Sequence, residues 1–165
     1  MNELLQHLIE ALREELKEYG EMLALLEQQQ QMVMHRQTQD LLQCATAINA
    51  QAETIAAARR ERAQHQRHVA VRLELPEDAT LARLTPRLPA EYQPLVQALV
   101  QENNELLVRI QQRARQNHLL LSRIVELMQR FLSTLFPGNP PATYNDLGHV
   151  LAAGPPQRSL YDAVG

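Results

Sequence analysis

Proline and glycine are distributed so unevenly along this chain that they dictate most of its organisation. Residues 1–75 contain no proline and a single glycine, Gly20, and residues 95–136 contain neither. Four prolines crowd into the stretch between, at 76, 86, 89 and 94. Long segments free of both residues suit helices, because proline removes a backbone donor and glycine costs extra conformational entropy. Leu, Ala, Gln, Glu and Arg, all strong helix formers, dominate those segments, whereas a sandwich or barrel needs β-branched residues and frequent turns. The fold class is all-α. With 45% hydrophobic residues and net charge −3, the chain is too apolar and too weakly charged for wholesale disorder. The final 29 residues, 137–165, hold five prolines and four glycines and read as a flexible tail.

Periodicity separates two helices within the first segment. An apolar stripe runs through Leu5, Leu8, Leu12, Leu16, Tyr19, Met22, Leu23, Leu26 and Val33, with the spacing of three and four that marks one helix face. It falters near Arg36 and restarts through Leu41, Cys44, Ile48, Ala52, Ile55 and Ala58, just after the N-cap candidates Thr38 and Asp40. Charge argues for a hairpin at the break. Residues 1–27 carry seven acids against Arg13 and Lys17, net −5, while residues 59–72 carry five arginines against Glu61, net +4. Folding back near residue 37 sets Glu14 beside Arg60 and Glu10 beside the 64 region, as exposed pairs each worth about 0.2–1 kcal/mol. A short helix near 80–85, capped by Thr80 and stopped before Pro86, precedes a long helix from about 91 to 136, with Pro94 in its first turn. The expected architecture is an antiparallel bundle over 1–136, with helices at about 2–35, 39–72, 80–85 and 91–136, followed by the tail.

The last helix carries a legible heptad. One seam position reads Val96, Asn103, Ile110, Asn117, Ile124, Phe131, and the other reads Leu99, Leu106, Arg113, Leu120, Leu127. Asparagine at such positions costs stability and fixes register or partner number. Because the stripe is longer than the hairpin needs, Leu106, Ile110, Leu120, Ile124, Leu127 and Phe131 are the candidate face for a partner helix.

Candidate chemistry is sparse. His65 and His68, with Glu61 one turn earlier, have a spacing that can hold zinc, but no Cys/His cluster accompanies them and they lie on an arginine-rich surface. Cys44 falls on the apolar stripe, as a buried small hydrophobe does, and a lone cysteine suits a reducing compartment. The Arg59–Arg72 cluster lacks aromatic neighbours for base stacking and has the acidic first helix as an internal partner, so nucleic-acid binding is disfavoured. No phosphate-binding loop, paired-carboxylate motif or nucleophile signature occurs, so the reading is non-enzymatic, without metal or cofactor. No apolar run reaches the roughly 18 residues of a membrane span, and the acidic first segment is unlike a signal peptide. The tail nevertheless keeps Tyr144, Leu147, Val150, Leu151, Leu160, Tyr161 and Val164, residues that solubilising fringe usually lacks and recognition segments retain.

The layout resembles the FlgN family of flagellar type III export chaperones. The Leu-rich first helix with interspersed Glu resembles the family's opening, and Arg36-Gln37-Thr38-Gln39-Asp40-Leu41-Leu42 its break before helix two. Arg59-Arg60-Glu61-Arg62 resembles the end of that helix, and Thr80-Leu81-Ala82-Arg83-Leu84 the linker turn. Asn103 to Leu107 and Asn117-His118-Leu119-Leu120-Leu121-Ser122 are similar to the asparagine-studded last helix. Leu160-Tyr161-Asp162-Ala163-Val164-Gly165 resembles the family's close, with Tyr144-Asn145-Asp146-Leu147-Gly148 at the same spacing. The resemblance implies a cytoplasmic chaperone that binds the C-terminal helical region of hook–filament junction proteins (hook-associated proteins), prevents premature assembly and delivers them to the export gate. Docking on the gate's cytoplasmic domain is then expected through Tyr161, with Tyr144 as the alternative and Leu160 and Val164 flanking. A coiled-coil adaptor that homodimerises through the same seam is the competing reading.

Overall fold

A computed structural model describes residues 1–35 and 37–135. The tail, with Tyr144, Leu160, Tyr161 and Val164, lies outside the described residues. The chain divides into two units, Met1–Leu119 and one beginning at Leu120, whose described residues are Leu120–Leu135. Four α-helices, α1 Asn2–Met34, α2 Thr38–Arg72, α3 Leu81–Leu84 and α4 Gln93–Leu135, and one 3-10 turn, Thr85–Arg87, make up the regular structure of the described residues. No strand occurs among the described residues.

In the first unit α1 and α2 form the expected antiparallel hairpin, across a break of three residues, 35–37. The predicted α1 stripe is buried throughout, save half-buried Leu16. On α2 the stripe is thinner. Cys44 and Ala58 are buried, but Ala52, expected on it, is exposed. Half-buried Gln51 takes the inward place there, donating from Nε2 to the Glu18 backbone carbonyl at 3.0 Å and to Glu18 Oε2 at 2.6 Å. An amide satisfies a buried carboxylate where a methyl group cannot, and this decides which side of that turn faces α1.

The caps differ from expectation. Gln37 holds the N-cap of α2 without a side-chain bond, Thr38 is already helical, and Asp40 lies in the first turn, where its charge complements the helix dipole. Thr80 does hold the N-cap of α3, in extended conformation, but through its carbonyl, which accepts from Arg83 and Leu84. The α-helix does stop before Pro86, at Leu84, and Pro86 itself enters the following 3-10 turn at a position that needs no backbone donor. α2 ends in a Schellman-type cap, with Leu75 N–H donating to Ala70 at 2.9 Å, Glu74 N–H to Val71 at 3.1 Å, and Glu74 at φ 57.

The core sits where the start of α1, the end of α2, the linker and the start of α4 meet. Leu5, Leu8, Ile9, Leu12, Val69, Ala70, Ala79, Leu84, Leu88, Val96 and Leu99 form one buried cluster. Within the first unit α4 runs parallel to α1, because Asn103 bonds to Leu12 and Asn117 to Leu26. The first unit is thus up, down and up again, the linker carrying it back across the end of the hairpin.

Candidate functional site

Two features of the described residues stand out chemically: a polar cleft in the first unit and an apolar helix face in the second. The cleft, of about 350 Å³, is walled by residues of all four helices, with Glu15, Tyr19, Arg59, Arg62 and Asn103 among its polar members. Glu15 is only 4% exposed. Its Oε1 accepts from the Tyr19 hydroxyl at 2.8 Å and lies 3.4 Å from Arg59 Nε, and its Oε2 lies 2.6 Å from Arg62 Nε. The Arg62 Nε–H is not aligned for a hydrogen bond, so that contact is an ion pair only. Burial, then the neighbouring carboxylate, push the Tyr19 hydroxyl up to about 12. Arg62 also donates to Gln66 at 2.6 Å, and Gln66 donates to the Ala79 carbonyl at 2.7 Å, tying hairpin to linker.

This cluster corrects the expected charge pairing. The acidic and basic patches do meet, in a register close to the expected one, but Glu15 rather than Glu14 takes the arginines. Glu15 shares the inward face with Leu8, Leu12 and Tyr19, whereas Glu14 points to solvent and pairs with Lys17 at 2.9 Å. The pairing is therefore buried on its acidic side, not a solvated surface bridge. Glu18, the other inward acid, is held below the usual carboxylate range, first by the Gln51 amide and also by Lys17.

The minor candidates resolve into packing and surface. Cys44 is buried, its thiol donating to the Leu25 carbonyl at 3.6 Å, and burial pushes its pKa up, away from the nucleophilic thiolate. His65 lies against His7, ring centroids 5.5 Å apart, and 3.9 Å from Glu61. No group of three or more His, Cys, Asp or Glu able to hold a metal occurs among the described residues. No helix among them is long and apolar enough to cross a membrane.

The heptad of α4 divides at the boundary between the units. In the first unit Val96, Leu99, Asn103 and Asn117 are buried, and Leu106, Ile110 and Arg113 are half-buried. Asn103 Nδ2 donates to the Leu12 carbonyl at 3.1 Å, and Asn117 Nδ2 to the Leu26 carbonyl at 2.7 Å and to Gln29 Oε1 at 2.9 Å. The donors are two heptads apart on α4, and so are the acceptors on α1, the matched period of a left-handed coiled coil. Arg113, between them, reaches Gln30 and Glu27. The asparagines thus set register inside the chain.

In the second unit the same heptad positions are open. Leu120 is 37% exposed, Ile124 39%, Leu127 59% and Phe131 63%. Val125, Met128, Leu132 and Leu135 are more than half exposed as well, and the sequence reading missed all four. The signal for two of them was present: positions one residue past the first seam read Gln97, Asn104, Gln111 and His118, then switch to Val125 and Leu132. Of the six residues proposed for a partner face, four are therefore open, and Leu106 and Ile110 lie on the seam pinned to α1.

Comparison with known proteins gives one family: the profile described as FlgN protein matches residues 1–150. No curated protein and no solved structure matches the chain.

Proposed function

The chain belongs to the FlgN family of flagellar export chaperones, and from that premise we propose that it receives its client on the open face of α4. The client is the C-terminal helical region of a hook–filament junction protein, an amphipathic segment whose exposed apolar side would otherwise drive premature assembly. One observation carries this reading: from Leu120 to Leu135 almost every apolar side chain of α4 is solvent-exposed, while the seams of the first unit are closed. A contiguous exposed apolar face on an amphipathic helix is a helix-docking surface. No catalytic or cofactor role enters the mechanism. The chaperone withholds the client's assembly helix, acts in the cytoplasm, and hands the client to the export gate through its C-terminal tail. Tyr161, with Tyr144 as the alternative and Leu160 and Val164 beside it, is the proposed contact with the gate's cytoplasmic domain.

The test uses the full chain and the purified C-terminal region of a hook–filament junction protein. Leu127→Gln combined with Phe131→Gln is expected to weaken binding at least tenfold, about 1.4 kcal/mol, with an unchanged thermal midpoint. Unaltered binding by that variant removes the face from the client site. Failure of the wild-type chain to bind any such region removes the chaperone reading.

A further inference from the structure

We infer that the Leu120–Leu135 face accepts two helices of the client side by side, a helical pair rather than a single helix; the inference rests on the chaperone reading. Its basis is the width of the face. Between residues 96 and 117 the large apolar side chains of α4 fall on the two seam positions and the one after the second, Val100 and Leu107, with Val108 alone outside them, while the position after the first seam is polar. Past Leu120 that position becomes Val125 and Leu132, each 53% exposed. Apolar side chains then run from Leu127 and Leu120 on one edge, through Phe131, Ile124, Leu135 and Met128, to Val125 on the other. At about 100° per residue they span an arc of roughly 160°, against the ~100° stripe that faces one neighbour. One client helix lying in the Leu120–Ile124–Leu127–Phe131 seam leaves Val125 and Leu132 in water, and a second helix beside it covers them.

Charge gives each edge its partner. Arg123 and Arg130 border the Leu120–Leu127 edge, and neither forms an ion pair among the described residues. Ser122 and Gln129 border the Val125 edge, without charge. The helix on the first edge should carry Asp or Glu beside its apolar stripe, and the helix on the second should be uncharged there. A second copy of this chain suits the face poorly. Antiparallel self-pairing sets Arg123 and Arg130 of one copy against those of the other, and parallel pairing sets them against Leu121 and Met128. The occupant is therefore the client, through both helices.

The test compares two fragments of one hook–filament junction protein, its C-terminal helix alone and that helix with the one adjoining it in the client's helical region. Both are titrated into the full chain, wild type and Val125→Gln/Leu132→Gln. The two-helix fragment should bind wild type at least tenfold more tightly, and the variant should lose that advantage while keeping its affinity for the single helix within twofold. Both substituted side chains are exposed, so an unchanged thermal midpoint is expected and checks folding. Equal wild-type affinity for the two fragments, or equal loss of both by the variant, overturns the helical pair and leaves the chaperone reading standing. A complex holding two copies of this chain per client overturns it too, by making the second helix a copy. Absence of any client binding ends both readings.

Discussion

The two halves of α4 have the same heptad and opposite surroundings. From Val96 to Asn117 the seam is closed, pinned to α1 by two asparagine amides and an arginine. From Leu120 to Leu135 the seam is more apolar, with no asparagine in it, and yet open. Hydrophobicity alone would assign the interior to the wrong half. What separates the halves is specificity: the closed half carries polar groups that accept only one register, and the open half carries only side chains that take any apolar neighbour of the right shape. An intramolecular contact benefits from a fixed register. The client surface proposed for the open half would benefit from tolerance.

The sharpest way to break this contrast is a matched pair of truncations. Leu8→Ala, in the buried cluster, is expected to cost about 2–5 kcal/mol of stability, and Leu127→Ala, on the open face, under ~0.5 kcal/mol. Chemical denaturation of both variants checks this, and similar costs would make the open face a core. A smaller effect is expected at the pins. Asn117 is 2% exposed and donates two hydrogen bonds, so Asn117→Ala should cost about 1–3 kcal/mol. Hydrogen exchange should then quicken where α4 lies along α1, and unchanged protection there would show that the amide does not hold the register. The smallest effect lies on the solvent side of α1. A methyl group at Gly20 meets nothing within 4 Å, so Gly20→Ala should raise stability by about 0.5–1 kcal/mol and raise the thermal midpoint. A loss there would mean that the outer face of α1 is also in use.

Helix extents, the hairpin and the heptad were legible from residue spacing because they are local properties of a chain turning every 3.6 residues. α1 begins and ends within a residue of expectation, and α2 starts one residue early. Misses occurred where a choice lay between neighbouring residues. Thr38 against Gln37 at a cap and Ala52 against Gln51 on a stripe are decided by a single hydrogen bond or turn geometry, to which periodicity is blind. The candidate face was legible as a stripe and illegible in width, because its added residues, Val125 and Leu132, sit outside the two positions a heptad reading follows.

The sequence by itself determined that this chain is a set of long amphipathic helices with acidic and basic ends that attract, since helix propensity, apolar period and charge sign act over a few turns and need no partner. Only the tertiary structure decided how the faces are used. It put Glu15 rather than Glu14 between the arginines, because the rotation of α1 on its core carries one inward and the other to solvent. It gave Asn103 and Asn117 their acceptors on a helix 91 residues earlier in the chain. It left Leu120 to Leu135 open, because coverage of an apolar stripe depends on which other segments reach it, and no local pattern encodes that.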